Sequence, residues 1–359
     1  MGKSTYLRRL SRDDLEAGRG LLLVDPHGDL AEQVKGDVPR RRKNDLFFLD
    51  ATDPSNARGL NPLRNTEPSE RSLIVSNLVA TMKKLWPEFW GPRMEHVLRY
   101  TLLALLEVRD TTLEDVVGML VDDVRRRSIL RHVTDPLVQN FWNHEFAGYG
   151  KQFAAEVVAP VLNKVGALLA SAAVRALVTK RRPKLDARRV LDQGRLLVAS
   201  LPKGRIGEDA SLLLGGLLLG VFAQAATGRA DLPLEQRTPF SVVIDEVASF
   251  ATAPFVGFVT ESRKYGVGLT LATQTLAGLD ASLRATLLGN VGTIVTFRVG
   301  AEDAELLSKE LLDVFSPHAL QSLDVGEHVT RRGARRPVLV PPLCMDATAG
   351  AGRTPTPAT

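Results

Sequence analysis

Seven short apolar runs, each bounded by turn-forming residues, constrain the fold of this chain more than any other feature. The runs occupy residues 20–24, 45–49, 194–201, 240–244, 267–273, 293–299 and 337–340. Helical patterns follow the later runs, at residues 209–226, 255–264, 276–289 and 301–310. Buried parallel strands appear as continuous apolar runs, and strands that alternate with helices form parallel sheets. The sequence therefore predicts an α/β protein with a mostly parallel, doubly wound sheet.

The stretch from residue 67 to 185 has a different pattern. Residues 93–108, 113–132 and 156–178 have helical periodicity, and the stretch contains no convincing strand. We therefore expect an all-α insertion between the second strand unit and the rest of the sheet. The predicted segments are a first part of the α/β core (1–66), the insertion (67–185), a second part of the core (186–346) and a disordered tail rich in Ala, Gly, Thr and Pro (347–359).

Basic residues are mostly arginine and fall in four clusters. The chain has 34 arginines and 12 lysines, which together make its 46 basic residues. The clusters lie at residues 40–43, 125–127, 180–182 and 331–336. Arginine clusters suit phosphate, but a solvated surface is the more common meaning of any one of them. The net charge of +5 is mild for 359 residues, so charge alone does not predict nucleic-acid binding.

The single cysteine, Cys344, excludes an internal disulfide and a cysteine-based metal site. The six histidines show no metal-binding spacing, and no signal-peptide pattern opens the sequence. The longest uncharged stretch, residues 210–228, contains glycines, Ser211 and Gln224. We interpret it as a buried helix rather than a membrane span. The sequence predicts a soluble, cytoplasmic protein.

The tetrapeptide Gly2-Lys3-Ser4-Thr5 matches the end of a P-loop, G-x-x-x-x-G-K-[S/T]. In that motif, backbone N–H groups cradle phosphates at the start of a helix. Lys3 would contact the β- and γ-phosphates, and Ser4 would bind Mg²⁺. The first glycine and the strand that feeds the loop would precede Met1, so we expect a P-loop that is cut short at the N-terminus.

The apolar run at 240–244 ends in two carboxylates, Asp245 and Glu246, which is the Walker B pattern. Asp245 would hold the Mg²⁺ shell, and Glu246 would orient and deprotonate the attacking water. Such a strand is common in α/β proteins, but together with G-K-S-T it predicts a P-loop ATPase that binds ATP and Mg²⁺.

Two further polar residues fit the same chemistry. Gln274 follows the run at 267–273, where it could sense hydrolysis by contacting both the water and the γ-phosphate; the alternative is a strand-end glutamine that bonds to a turn. Arg263 lies on the predicted helix between these two runs. It could act as an arginine finger on the nucleotide of a neighbouring subunit, or it could be a plain surface arginine.

Motifs along nearly the whole chain resemble the HerA/FtsK branch of P-loop motors, and most closely the coupling proteins of type IV secretion and conjugative DNA transfer, the TraD/TraG class. The D-P-H-G and G-L-N-P-L motifs are the most specific. The matching residues are 2–5, 24–29, 59–63, 90–96, 160–164, 201–207, 245–246, 262–266, 272–274, 289–293 and 297–300.

The resemblance implies a RecA-like core with an all-α insertion, assembled as a homo-hexameric ring around DNA that it moves without regard to sequence. It implies that Arg263 acts in trans and that Arg298 is a second sensing residue at the subunit boundary. It also implies relaxosome or secretion-channel partners and a place at the inner face of the cell membrane, through an N-terminal region that this chain lacks. The resemblance gives Asp25 and His27 no firm role.

Two alternatives to an ATP-driven DNA translocase remain open. The first is a degenerate, non-hydrolysing DNA-binding or ring-partner protein derived from such a motor. The reading frame upstream of Met1 would distinguish the two, because a strand followed by G-x-T-G would complete the P-loop. The second is another P-loop enzyme such as a nucleotide kinase, which would need a lid and an acceptor site that the sequence does not show.

Overall fold

The computed structural model describes residues 2–53, 59–64 and 67–342. The chain divides into two compact units. One unit comprises Met1–Leu10, Thr275–Ala277 and Val291–Thr359; the other comprises Ser11–Gln274 and Gly278–Asn290. We call them the small unit and the large unit. Cys344 and the predicted tail at 347–359 lie outside the described residues, and the segment boundaries predicted at 66, 185 and 346 stay a prediction.

The large unit is built on a five-stranded sheet whose strands are all parallel, in the order β2-β3-β1-β4-β5. The strands are β1 (Gly20–Asp25), β2 (Leu46–Asp50), β3 (Leu196–Ser200), β4 (Phe240–Ile244) and β5 (Val267–Leu271). All residues of β1 and β3 are buried, as expected for central strands that are covered on both faces. The predicted mostly parallel, doubly wound sheet is confirmed.

The described helices begin with α1 (Lys3–Glu16), whose residues are divided between the two units. Those of the large unit are α2 (Asp29–Asp37), α3 (Arg71–Leu85), α4 (Pro92–Leu106), α5 (Glu114–Val121), α6 (Asp123–Leu130), α7 (Pro136–Asn140), α8 (Lys151–Ala170), α9 (Ala172–Val178), α10 (Ala187–Asp192), α11 (Lys203–Ile206), α12 (Glu208–Thr227), α13 (Val247–Phe250), α14 (Ala253–Glu261) and α15 (Ala281–Asn290). Those of the small unit are α16 (Ala301–Glu310) and α17 (Pro317–Gln321).

From α3 to α9 every described element is helical, which agrees with the predicted all-α insertion. Two of the predicted helices are each interrupted once. The carboxylate of Asp122 accepts hydrogen bonds from the backbone N–H groups of Val124 and Arg125, so it caps a new helix, α6, within the predicted range 113–132. Ser171 caps α9 in the same way within the predicted range 156–178.

Helix α12 covers the uncharged stretch of the sequence. It packs against α3, α10 and α14, and eleven of its residues are buried. Among the described residues, α12 with the turn that follows it and α8 are the two helices that are long and apolar enough to cross a membrane by length and composition. A mostly buried core helix passes the same test, and the packing of α12 matches its interpretation as a buried helix.

The small unit contains a second sheet that the sequence did not predict. Its three strands are antiparallel, in the order β6 (Thr293–Thr296), β7 (His328–Arg332), β8 (Val338–Val340). The expectation that the runs at 293–299 and 337–340 join the parallel sheet was therefore wrong. β7 was missed because its polar residues hide the apolar signal, although His328, Val329 and Thr330 are all buried.

Candidate active site

The carboxyl ends of β1 and β4 meet where the winding of the sheet reverses. After β1 the chain turns toward β3 and β2, whereas after β4 it turns toward β5. Open parallel sheets bind their ligands at such a switch point, outside the carboxyl ends of the strands. Asp25 is the last residue of β1, and Asp245 and Glu246 directly follow β4. The predicted Walker B carboxylates therefore lie where this kind of fold binds ligands.

Backbone hydrogen bonds of Asp245 and of the preceding residue, Ile244, connect this point of the chain to both neighbouring strands. Its N–H donates to the carbonyl of Val24 at 3.0 Å, and the N–H of Ala272 donates to the carbonyl of Ile244 at 3.0 Å. Only 2% of Asp245 is exposed. A carboxylate buried to this degree needs hydrogen bonds or a cation. One of its oxygens, Oδ1, accepts a hydrogen bond from the N–H of Glu246 at 3.0 Å.

Glu246 occupies a strained backbone conformation, with φ 55° and ψ 56°. A residue other than glycine in this left-handed region costs of order 1–3 kcal/mol, and such residues cluster at functional sites. Its Oε1 accepts hydrogen bonds from the hydroxyl of Thr273 at 3.1 Å and from the N–H of Gln274 at 3.4 Å. The carboxylate is therefore directed across the strand ends toward β5 rather than into solvent.

Gln274 is exposed at the carboxyl end of β5, next to this carboxylate. The structure thus brings together Asp245, Glu246 and Gln274, three of the residues that the sequence predicted for one site. Thr273 completes the group, and sequence reasoning missed it, although its position beside Gln274 could have indicated it.

Arg263 lies at the other edge of the sheet. It belongs to a 3₁₀ turn, Ser262–Tyr265, which precedes the amino end of β5. Since β4 and β5 are parallel and five residues long, this turn and Glu246 are separated by the length of a strand, roughly 16 Å at about 3.3 Å per residue. Arg263 does not reach the Walker B carboxylates of its own chain.

Two other arginines hold the turn that carries Arg263. Arg229, with 0% exposure, donates from Nη1 to the carbonyl of Tyr265 at 3.1 Å, and Arg237 donates from Nη1 to the carbonyl of Lys264. The side chain of Arg263 itself is exposed and makes no hydrogen bond or ion pair with any described residue. The backbone of this turn is therefore fixed, and the guanidinium group of Arg263 is exposed to solvent.

The G-K-S-T residues and Arg298 belong to the small unit. Helix α1 begins at Lys3, and the N–H of Tyr6 donates to the carbonyl of Gly2 at 2.9 Å. Ser4 and Thr5 are exposed in the first turn, where backbone N–H groups have no partner within the helix. Arg298 is exposed just beyond β6. A P-loop requires a helix that starts at its lysine, and α1 meets that requirement.

Gly2 also has a packing role. Its φ is 134°, and a Cβ at this position would lie 2.6 Å from Cε1 of Phe297. The Phe297 ring is part of an aromatic group with Tyr6 and His328, whose centroids lie 6.1 and 5.2 Å from it. Burial raises the pKa of Tyr6, an effect that the nearby charge of Arg332 opposes.

The D-P-H-G motif forms a loop that Asp25 holds closed. The carboxylate of Asp25 accepts hydrogen bonds from the N–H of His27 at 2.8 Å and from the N–H of Ala31 at 2.9 Å. Gly28 has φ 93°, and a Cβ there would lie 3.1 Å from Oγ of Ser200, so glycine fits both the conformation and the space. Asp25 therefore has a structural role, whereas His27 is exposed at the edge of the switch point.

The comparisons with known proteins agree with this geometry. Residues 239–313 match the family TraG-D_C, described as the TraM recognition site of TraD and TraG. Among solved structures, the bacterial conjugative coupling protein TrwBdeltaN70 in its unbound form has a TM-score of 0.65 at 17% identity, over 99% of this chain and 84% of that one. The chain therefore has the fold of the conjugative coupling protein TrwB. The resemblance that the sequence motifs carry is thereby confirmed.

Two other solved structures share this coupling-protein fold. The plasmid coupling protein TrwB in complex with ADP and Mg²⁺ has a TM-score of 0.67 at 18% identity, over 98% of this chain and 84% of that one. VirB4 of Thermoanaerobacter pseudethanolicus has a TM-score of 0.61 at 14% identity, over 96% of this chain and 87% of that one. No curated protein sequence matches the chain.

Within this fold, a lysine of the helical region reaches the Walker B end of the sheet. Nζ of Lys84, on α3, donates to the carbonyls of Ala248 and Ala251 at 2.7 and 2.6 Å. These carbonyls end the short helix α13, which starts directly after Glu246. Burial lowers the pKa of Lys84, an effect that the charge of Asp280 partly offsets. No sequence signal marks Lys84, because its partners are backbone atoms about 165 residues away.

Proposed function

We propose that this chain is the ATP-hydrolysing core of a DNA translocase that acts in conjugative transfer or type IV secretion. The observation that carries the proposal is the position of Glu246. Its carboxylate is held at the switch point of the sheet by Thr273 and Gln274, beside the buried Asp245. A general base for water activation needs such fixed placement near the phosphate. The coupling-protein fold supplies the context of DNA transfer.

The proposed nucleotide is ATP with Mg²⁺, as the TrwB complex with ADP and Mg²⁺ supports for this fold. The start of α1 would hold the phosphates through Gly2, Lys3 and Thr5, and the hydroxyl of Ser4 would bind Mg²⁺. Asp245 would complete the metal shell through water. The described residues contain no group of three or more His, Cys, Asp or Glu side chains suited to a metal. A P-loop site does not need one, because phosphate oxygens and waters fill most positions around Mg²⁺.

In the proposed reaction, residues of this chain position and deprotonate the water, and a Mg²⁺ ion held by Ser4 and Asp245 would supply neutralisation of charge on the phosphates. Glu246 accepts the proton of the attacking water, and Thr273 holds its carboxylate in place. Gln274 contacts the water and the phosphate and reports hydrolysis to the rest of the chain. No step requires covalent attachment to the protein.

Arg263 would complete the site of a neighbouring subunit in a homo-hexamer. Its distance from Glu246 of the same chain and its free guanidinium favour a role in trans over a role in cis. Arg298, also exposed, would sense the state of the same subunit boundary. DNA would pass through the ring and be gripped by its phosphates, without regard to sequence.

We infer the partners and the location from the resemblance to conjugative coupling proteins. The match at residues 239–313 to a TraM recognition site supports a relaxosome component as a partner. A secretion channel is the corresponding partner on the membrane side. We place the working protein in the cytoplasm, at the inner face of the cell membrane.

The proposal is tested by measuring ATP turnover with and without DNA. The account expects hydrolysis that requires Mg²⁺ and rises when single- or double-stranded DNA is added. Nucleotide-independent DNA binding with no turnover would instead favour the non-hydrolysing DNA-binding or ring-partner protein. Turnover that is indifferent to DNA but requires a phosphate acceptor would favour a nucleotide kinase.

The role of Arg263 in trans is tested by mixing subunits. Arg263→Ala alone should lose on the order of 10³-fold in turnover while still binding ATP. When it is mixed with Glu246→Gln subunits, some activity should return, because one type of interface then pairs an intact Glu246 with an intact Arg263. Normal turnover by Arg263→Ala alone would show that Arg263 is a plain surface residue. Lys264→Ala, one residue away, is the matched control.

A further inference from the structure

The four arginine-rich clusters of the sequence differ in how the structure uses them. In the cluster at residues 40–43, Arg42 is buried and donates to the carbonyls of Arg19 and Gly194 at 2.6 and 2.5 Å, and Arg41 donates to the carbonyl of Glu16 at 3.2 Å. These arginines tie together the loops at the amino ends of β1 and β3. Two members of this cluster therefore serve the fold itself.

The next two clusters are also largely paired within the chain. Arg125 and Arg126 form ion pairs with Asp115 and Asp123. In the cluster at residues 180–182, Nη1 of Arg181 donates to the carbonyl of Asp110 at 2.8 Å, and Arg182 pairs with the carboxylate of Asp110 at 3.0 Å. Each of these clusters thus uses at least two of its three members on internal partners.

The fourth cluster, residues 331–336, is different. It forms the tip of the hairpin between β7 and β8, and we call it the arginine tip. The side chains of Arg332, Arg335 and Arg336 are exposed and make no hydrogen bond or ion pair with any described residue. Only Arg331 has an ion-pair partner, Glu310 at 3.8 Å. From residue 328 to 342 the sequence contains no Asp or Glu, so the hairpin carries no acid of its own to neutralise the tip.

The backbone of the arginine tip is fixed even though its side chains are free. Gly333 turns the chain with φ 54°, and its N–H donates to the carbonyl of Gly292 at 2.7 Å. The N–H of Arg335 donates to the carbonyl of Arg332 at 3.0 Å. Three positive charges thus lie within five residues of one hairpin. Like charges closer together than the screening length of about 8 Å at physiological salt repel each other. A polyanion would relieve this repulsion.

We propose that the arginine tip binds the phosphate backbone of DNA. A planar guanidinium can donate two parallel hydrogen bonds to one phosphate, and neighbouring arginines match the succession of charges along a strand. Contacts to phosphate carry no base information, which is what a sequence-independent motor requires. The choice of DNA as the ligand rests on the proposed function, but binding of DNA to the arginine tip does not depend on ATP hydrolysis.

The test is the salt dependence of DNA binding by the full chain, measured with a labelled duplex oligonucleotide. The tip variant changes Arg332, Arg335 and Arg336 to Gln. The control variant changes Arg40, Lys43 and Lys184 to Gln, three exposed residues whose side chains also make no hydrogen bond or ion pair with a described residue. Both variants lose three positive charges, so a non-specific charge effect is the same in each.

The tip variant should lose about 2 to 3 units from the slope of log affinity against log salt concentration, since each phosphate contact contributes about 0.9. The control variant should keep the wild-type slope. Equal slopes in tip variant and control, or no DNA binding by the wild type, would overturn the proposal. Displacement of the oligonucleotide by poly-L-glutamate at equal charge concentration would also overturn it, because the tip would then be a surface for an acidic protein.

Turnover of ATP by the same proteins separates this inference from the proposed function. A wild type that binds DNA through the arginine tip without hydrolysing ATP would support the tip and contradict the motor. If DNA stimulates ATP turnover but the salt slope of DNA binding is unchanged in the tip variant, the motor is supported and the role of the arginine tip is contradicted.

Discussion

The hydroxyl of Thr273 donates a hydrogen bond of 3.1 Å to the carboxylate of Glu246, joining the ends of β4 and β5. Glu246 is in a left-handed backbone conformation, and this bond, together with the one from the N–H of Gln274, directs its carboxylate toward β5. A general base must be held in place as well as present. The hydrogen bond therefore makes Thr273 a positioning residue for the proposed hydrolysis.

Thr273→Val should lower kcat by about ten- to a hundredfold, because a hydrogen bond to a charged group is worth about 1.5–3 kcal/mol. Valine has nearly the same shape but has no hydroxyl. Thr273→Ser, which keeps the hydroxyl, should restore most of the rate. A valine variant with the wild-type kcat would show that Thr273 does not position Glu246.

Arg229→Met should destabilise the large unit strongly. Arg229 is fully buried and donates to Asp192 at 2.9 Å as well as to the carbonyls of Thr238 and Tyr265. Replacement of Arg229 leaves these carbonyls without their donor, and each buried polar group left without a partner costs about 1–3 kcal/mol. The free energy of unfolding, measured with a chemical denaturant, should fall by at least that amount.

Arg188→Met is the matched control for Arg229, because Arg188 pairs with the same Asp192 but is partly exposed. It should cost less than about 1 kcal/mol. Equal losses in the two variants would contradict the central place of Arg229 in holding the turn that carries Arg263.

Lys84→Met should alter the pH dependence of stability. The folded pKa of Lys84 lies below its ordinary value of 10.5, so between the two values the unfolded chain binds more protons. The free energy of unfolding therefore rises with pH across this window in the wild type. The rise should be smaller in Lys84→Met and unchanged in Lys83→Met, its exposed neighbour. Identical pH profiles for wild type and Lys84→Met would contradict a partly buried ammonium group with a lowered pKa.

The apolar runs were sufficient to predict the parallel sheet, because strands buried on both faces have no polar alternation to obscure them. The same apolar signal gave a wrong prediction at residues 293–299 and 337–340, whose strands belong to the antiparallel sheet. Periodicity does not distinguish a parallel strand from an antiparallel one, since pairing depends on residues far apart in sequence. β7, with His328 and Thr330 buried, carried too little apolar signal to be recognised.

Within the candidate site, Asp245, Glu246 and Gln274 could be predicted because each directly follows an apolar run. Three features of the site could not be predicted. They are the strained backbone of Glu246, the hydrogen bonds of Lys84 to carbonyls that follow Glu246, and the hydrogen bond of Arg229 to the turn that carries Arg263. All three depend on backbone atoms, whose positions only the folded chain defines. The internal ion pairs of the arginine clusters could not be predicted because their partners lie far along the chain, as Asp110 and Arg182 are 72 residues apart.

The central claim, that Glu246 activates water for ATP hydrolysis, is tested most directly by the turnover of Glu246→Gln. Glutamine keeps the size of the side chain and removes its basicity, so ATP binding should persist while kcat falls by about 10²–10⁴-fold. Glu32→Gln, at an exposed ion pair on α2, should hydrolyse ATP at the wild-type rate. A Glu246→Gln protein that turns over ATP within a few-fold of the wild type would contradict the account.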